Sequence, residues 1–395
     1  MNYILSFDVA KGKSVYCLID NFKNTIIDST SVNHFKNEFD RLFGNIRDYR
    51  PLTVVMESTS VYHLPVENYF RSKGIDTIVM NPKLVKQFKD SLNKAKTDKL
   101  DCFKIARCYL GTINSFHHKN DEYFKYNPLA RQYWSLTEGQ VRLKNRYKQL
   151  IDVIFPEYSL LFDDLYSNLA LDFIHDFPHP ELFIHRKTDF LMNYLMNHNG
   201  STKAYRFKNK VLKMKSIASN SLCFVGFDSL EVSNLVQVIE LIKYNKKEID
   251  KIKNNLISSL KDTNLFKIIN SIPGFGDFTT ALFLSEVGDI TRFDNPYQLI
   301  SFLGIDSVIS QSGKSIYYGS ISKTGNKFGR TILFNVVTTL IQVSAHSNPT
   351  NSVYLFFRKK QFEGKHFYKC IIACSSKLCK IVYKLCCSNV TYLNK

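Results

Sequence analysis

Residues 3–9, 14–20 and 24–30 are short β-rich runs separated only by Lys11-Gly12-Lys13 and Asn21-Phe22-Lys23-Asn24. Runs spaced so closely read as a three-strand meander. An amphipathic helix is expected next, over about 32–43, with Val32, Phe35, Phe39, Leu42 and Phe43 on one face. Pro51-Leu52-Thr53-Val54-Val55-Met56-Glu57 is then an apolar run ending in a carboxylate, the pattern of a buried strand. A second helix, Val61 to Arg71, and a second buried strand, Ile75 to Met80, complete a β-β-β-α-β-α-β order.

This is the order of the ribonuclease-H-like α/β fold, a mixed sheet flanked by helices. It puts Asp8 and Glu57 at strand ends, where a carboxylate has no capping role. Further on, Lys96-Thr97-Asp98-Lys99-Leu100-Asp101 precedes an apolar helical periodicity running to about Leu110. Asp98 belongs at or beside that helix's N-cap, and Asp101, three residues on, shares its face. Acids there have two readings, capping with dipole stabilisation or ligation. Four acids converging on one end of a sheet would repel one another unless divalent cations neutralised them. Oxygen-only ligation points to Mg²⁺ or Mn²⁺, and two such ions can clamp the attacking and leaving oxygens of a phosphodiester.

At 395 residues, several domains are expected. The net charge of +18 with 14% aromatic residues describes a folded protein with a polyanionic partner, nucleic acid before membrane. No apolar run is expected to reach the roughly 18–20 residues that span a bilayer, and no signal peptide is read at the N-terminus. A cytoplasmic, nucleoid-associated protein is the expectation. Of nine cysteines, Cys370, Cys374, Cys379, Cys386 and Cys387 crowd one apolar stretch without a Cys-x-x-Cys pair. They read as reduced, buried small hydrophobes before they read as a zinc site.

In the middle of the chain, Leu129, Tyr133, Leu136, Leu143, Tyr147, Leu150 and Ile154 alternate steps of four and three around one polar member, Gln140. A second series runs Leu235, Val238, Ile242, Asn245, Ile249, Ile252 and Leu256. Two such heptad helices form either a coiled-coil hairpin or dimer seam, or simply pack on each other within the chain. The insertion at about 156–228 reads as helical with a loop at 197–201, and His175, His179 and His185 read as surface residues.

Ile272-Pro273-Gly274-Phe275-Gly276 opens another helix; it is either a plain turn or a helix-hairpin-helix element whose Gly274 and Gly276 amides face phosphate. Small, hydroxyl and basic residues then form an expected loop pair, Gly304 to Lys314 and Ser320 to Arg330. A serine beside Gly and Lys is either an activated nucleophile or a turn residue. Residues 351–395 hold nine Lys or Arg against one acid, Glu363. Phe367, Ile371, Cys374, Leu378, Ile381 and Leu385 are expected to line one helix face there, with the lysines opposite, facing a nucleic-acid backbone or solvent.

Taken together, Phe7-Asp8-Val9-Ala10-Lys11, Glu57-Ser58-Thr59-Ser60-Val61-Tyr62, Lys96 to Asp101, Ile272 to Gly276, Ser310-Gln311-Ser312-Gly313-Lys314 and Ile321-Ser322-Lys323-Thr324-Gly325-Asn326 resemble the IS-one-ten family of insertion-sequence transposases, the DEDD transposases. The resemblance covers nearly the whole chain, in order. It implies a RuvC-like DEDD domain over 1–125, a helical coiled-coil linker over 126–262, and a mainly α-helical transposase domain over 263–395 that carries a nucleophilic serine. By motif position, Asp8, Glu57, Asp98 and Asp101 take the Mg²⁺-binding roles. Ser312 takes the nucleophile role, with Ser310 as the alternative. Lys314, Lys323, Asn326 and Arg330 join Gly274 and Gly276 as expected nucleic-acid contacts. The implied partners are the double-stranded DNA of element ends and target, a bridge-type guide RNA, and further copies of the chain in a dimer or tetramer. The rival reading is a metal-dependent nuclease or junction resolvase in which the serine is incidental.

Overall fold

The computed structural model describes residues 2–80, 82, 85–86, 98–112, 122–199, 204–312 and 315–392; of 98–100, 112, 199, 204–206, 308–312 and 315–318 it describes the backbone alone. The chain divides into two compact units, Met1–Asn120 and Asp121–Lys395.

In the first unit, β1 (Tyr3–Ala10), β2 (Lys13–Asp20) and β3 (Thr25–Asn33) form the expected meander. Helix α1 (Lys36–Ile46), β4 (Leu52–Glu57), α2 (His63–Ser72) and β5 (Asp76–Met80) follow in the expected order. The sheet runs β3-β2-β1-β4-β5, antiparallel through the meander and parallel from β1 to β4 to β5, which makes it mixed. Three expected helix residues are misplaced: Val32 belongs to β3, where it pairs with Ser14, and Phe35 and Val61 precede α1 and α2 and are exposed. Side-chain alternation sends Leu5, Phe7, Val9, Val54 and Met56 to one face, under α1 and α2. Ile4, Cys17, Ile19, Val55 and Ile78 go to the other, beneath α3 (Asp98–Thr112), which contributes Cys102, Ile105, Ala106 and Cys108.

Among the described residues the second unit is helical apart from one hairpin and the connecting turns. Its long helices α4 (Asn127–Ile154) and α9 (Leu230–Leu260) flank α5 (Asn168–Asp176), α6 (Glu181–Ile184), α7 (Thr188–Asn199) and α8 (Ala204–Ser219) in sequence. The core of α4 and α9 shows that they run antiparallel. Tyr147 to Ile154 share a cluster with Val232 to Ile242, and Ala130 shares another with Ile252 to Leu260. Between those ends the two polar interruptions meet: Asn245 donates to the Leu136 carbonyl at 2.9 Å and to Gln140 Oε1 at 3.0 Å. The heptad series therefore pack on each other within the chain.

Two expectations for the insertion change. The loop expected at 197–201 is still helical at Asn197 and His198, with Gly200 and Ser201 outside the described residues. His179 is buried, not superficial; its ring nitrogens engage the Val225 carbonyl at 3.1 Å and the Glu181 amide at 3.3 Å.

The rest of the unit comprises α10 (Asn264–Asn270), α11 (Asp277–Val287), α12 (Pro296–Phe302), the hairpin β6 (Ser307–Ser312) and β7 (Ser315–Ile321), α13 (Lys327–Ser347), α14 (Ser352–Phe362) and α15 (Phe367–Ser388). Helix α13 is long and apolar enough, by length and composition, to cross a membrane, against the expectation that no run would be. Here Ile332, Leu333, Val336, Val337 and Leu340 bury it in the unit's core. On α15 the buried face is centred on Cys370, Ile371, Cys374, Leu378, Val382 and Cys386, a small rotation from the expected one, with Phe367 left 43% exposed. Four of the five clustered cysteines are buried and free, and burial pushes the Cys374 and Cys386 thiols up to about 12.

Candidate active site

The acidic part of the site follows from strand register. Strands β1 and β4 are parallel neighbours with Phe7 opposite Met56, so the next step along places Asp8 beside Glu57. Parallel neighbours lie roughly 4.8 Å apart and point their paired side chains to the same face. Phe7 and Met56 face α1 and α2, so Asp8 and Glu57 face α3. Both are half-buried, while Asp101, in the first turn of α3, is buried with Lys104 Nζ at 3.3 Å. Asp8 is near enough to the neighbouring Cys102 to act on it. A hydrogen bond with Cys17 lowers that thiol's pKa, and the Asp8 charge pulls the other way. Helix α3 begins at Asp98, one turn before Asp101, as the spacing predicts; the Asp98 side chain lies outside the described residues. Among the described residues no three His, Cys, Asp or Glu side chains make a closed metal cage. Asp8, Glu57 and Asp101 thus share one face of one unit, as oxygen donors that suit a hard divalent cation.

The serine part corrects an expectation. Ser307–Ser312 and Ser315–Ile321 pair as the antiparallel strands of a β-hairpin and are not loops, with Ser310 opposite Tyr317 and Ser312, the last residue of β6, opposite Ser315. The Ser310 and Ser312 side chains and the whole of Lys314 lie outside the described residues. What the structure shows is how the hairpin is held at its base. Gly304, at φ +63°, packs directly on Gly325, and a Cβ on Gly325 would sit 2.1 Å from the Phe302 carbonyl oxygen. Across this seam the Asn326 amide donates to the Phe302 carbonyl at 2.7 Å and the Lys323 amide to that of Gly304 at 3.0 Å. Ser322 Oγ donates to Asp306 Oδ1 at 2.7 Å, and Arg330 Nη1 to the Leu303 carbonyl at 2.8 Å. Two residues expected to touch nucleic acid, Asn326 through its backbone amide and Arg330 through its guanidinium, thus make bonds that shape the hairpin. Lys323 is exposed, with φ +53°. Gly274, at φ +93°, lies against α13, where a Cβ would come within 2.6 Å of the Val336 carbonyl; Gly276 is exposed at the start of α11.

Glu286 escaped the sequence reading, although an acid inside the apolar run Phe283-Leu284-Ser285-Glu286-Val287 is a visible signal. It is fully buried on α11 and accepts from Arg131 Nη2 at 2.9 Å, Asn326 Nδ2 at 3.1 Å and Asn127 Nδ2 at 3.4 Å. Burial raises its pKa, and Asn326 and Arg131 offset this in part. Asn326 also caps α13 through the Phe328 and Gly329 amides, and Phe328 stacks on Trp134 of α4 with ring centroids 4.9 Å apart. One carboxylate therefore ties the start of α4 to the loop that closes the serine hairpin.

Two family models match in the order that these two parts require. Residues 5–156 match the DEDD IS110 transposase model, and residues 266–351 match the model described as transposase, IS116/IS110/IS902 family. The chain belongs to the IS110 family of transposases. The first model spans Asp8, Glu57, Asp98 and Asp101, and the second spans Ser312 and the residues that close its hairpin. A curated relative, the transposase for insertion sequence element IS1111A of Coxiella burnetii, is 29% identical over 124 residues. That match spans 31% of this chain and 33% of the relative, about a third of its length.

Proposed function

We propose that this chain is the transposase of an insertion element and that it cuts and rejoins DNA by serine attack assisted by a RuvC-like acidic site. The observation that supports the proposal is the strand register that sets Asp8 beside Glu57 on the sheet face covered by α3, the helix that carries Asp101 in its first turn. In that reading Asp8, Glu57, Asp98 and Asp101 hold Mg²⁺ or Mn²⁺. Such an ion, when bound, supplies Lewis-acid stabilisation of charge on a phosphodiester. The chain's own residues do the rest. Ser312 Oγ attacks phosphorus, the phosphorus–O3′ bond breaks, and the serine's proton passes in net to the freed 3′-oxygen. The reverse step joins a 3′-hydroxyl of the other duplex to that phosphorus and returns the proton to the serine. Lys314, Lys323, Gly274 and Gly276 would meet DNA phosphates, and a bridge-type guide RNA from the element's non-coding sequence would choose the two duplexes. A dimer or tetramer of the chain would hold both at once. The acidic region 1–125, the helical linker 126–262 and the serine-bearing region 263–395 are the corresponding working parts.

The test is strand transfer and covalent protein–DNA adduct formation on element-end duplexes, with Ser312→Ala, Ser310→Ala and Asp8→Asn. Loss of adduct in Ser312→Ala alone among the serines, together with loss of cleavage in Asp8→Asn, is expected. Cleavage retained without either serine points instead to a metal-dependent nuclease, and full activity in Asp8→Asn removes the acidic site from the mechanism.

A further inference from the structure

A groove of about 620 Å³ runs along the middle of α9 beside the N-terminal end of α5, and its lining includes none of the candidate site residues. Lys243, Lys246, Lys247 and Lys251 line it, with Asp250 as the one acid among its lining residues. Lys243, Lys247 and Lys251 sit on the face of α9 away from Ile242, Asn245, Ile252 and Leu256, which pack inward, and Lys246 sits at the edge of that inward stripe, beside Ile242. Local pairs cancel only part of the charge. Lys243 reaches Asp172 at 2.6 Å, Asp250 is taken by Lys253 at 3.1 Å, and Lys251 lies 3.9 Å from Glu248. Among the described residues Lys246 donates to a neutral amide, Asn168 Oδ1 at 2.9 Å, and neither it nor Lys247 has a carboxylate in ion-pairing range.

Like charges at spacings of three and four on one helix repel, and a polyanion lying along them relieves that cost. An ordinary solvated helix face carries its lysines on a convex surface; here they rim a concavity. The other polar groups in it, Asn168, Asn254 and Asn255, are side chains of the kind that bond phosphate and sugar oxygens. Tyr244, 64% exposed, precedes Lys247 by one turn of α9 and flanks the groove, where its ring offers a stacking surface for a base.

We infer that this groove binds a polynucleotide backbone and anchors nucleic acid on the helical region that, along the sequence, separates the acidic residues from the serine hairpin. This deepens the transposase reading and rests on it, by assigning a binding surface to a segment with no chemistry of its own. DNA and RNA present the same phosphates, so the experiment separates them. Binding of the full chain to a duplex DNA of arbitrary sequence and to an RNA hairpin would be followed by fluorescence anisotropy across a KCl series. The triple variant Lys246→Gln, Lys247→Gln, Lys251→Gln is expected to lower affinity and to reduce the slope of log K against log salt by about 2–3 for the nucleic acid that uses the groove. A change with DNA alone, RNA alone or both identifies the occupant. The matched Lys→Arg triple variant should bind as wild type, because charge is kept. An unchanged slope for both probes, or equal loss in the Arg variant, overturns the inference. Adduct formation by the wild-type chain is measured independently, so a failed groove and a failed transposase reading give different results.

Discussion

The serine hairpin depends on two glycine backbones that touch at its base, and Gly325→Ala tests that dependence most sharply. The added methyl would lie 2.1 Å from the Phe302 carbonyl oxygen and 2.6 Å from the Gly304 nitrogen, both backbone atoms that no rotamer change can clear. The segments must separate, which breaks the Asn326 to Phe302 and Lys323 to Gly304 hydrogen bonds, 2.7 and 3.0 Å long. Two lost bonds at about 1 kcal/mol each, with about 1–3 kcal/mol of overpacking, give a destabilisation of about 3–5 kcal/mol. For a unit of this size that lowers the melting midpoint by about 6–20 °C. The assay is thermal unfolding by circular dichroism, with Gly44→Ala as control: Gly44 is exposed inside α1 with open space about it, so alanine there should leave the midpoint unchanged or raise it. Strand transfer should fall with Gly325→Ala even well below its midpoint, because the hairpin moves with its base. A Gly325→Ala chain that melts and transfers strands like wild type would refute the idea that this seam positions the serine.

Glu286→Gln tests the buried carboxylate through pH. Its folded pKa is raised above the usual 4.5, so the contribution it makes when protonated is fully present below that value and is lost as pH rises through the folded pKa. The glutamine variant should therefore gain stability relative to wild type as pH climbs from about 4.5, measured as the difference in denaturant midpoints; a difference that shrinks with rising pH contradicts the assignment. In the α4–α9 seam, Asn245→Leu should cost about 1–3 kcal/mol because it strands the Gln140 amide oxygen, whereas Asn245→Leu with Gln140→Leu should recover most of the loss. Equal costs for the single and double variants would show that the two amides are not coupled.

The first unit was legible because its strands announce themselves by composition and its acids by position. Alternation and register then fix where Asp8 and Glu57 point, with no knowledge of the rest of the chain. The slips lie at helix starts: Val32, β-branched at a strand–helix boundary where either period fits, is in β3, and Phe35 and Val61 are exposed just before α1 and α2. The serine hairpin was missed because Ser307 to Ser312 is poor in the β-branched pattern that marks strands, and its pairing is set by Gly304, Gly325 and Asp306, residues that read locally as turn formers. His179 and Glu286 show the same limit from the other side. A polar residue's burial depends on partners far along the chain, the Val225 carbonyl for one and Arg131 and Asn326 for the other. The two polar heptad positions were each visible, but only the antiparallel fold shows that they meet.

That meeting bears on how copies of the chain would assemble. Leu235, Ile242, Ile252 and Leu256 are buried against α4 in the same chain, and Asn245 has both amide hydrogens engaged by Leu136 and Gln140. A dimer built by exchanging this seam would have to break those bonds and bury the same side chains again, gaining little beyond what one chain already has. Exposed apolar residues on the outer faces of the two helices, Val141 on α4 and Leu241 on α9, are available without such exchange. An oligomer that brings two duplexes together is therefore expected to leave the α4–α9 pair intact. Crosslinking across the seam, between cysteines introduced at Gln140 and Asn245, should yield intramolecular and not intermolecular species; a ladder of linked dimers would show that the seam is shared between chains.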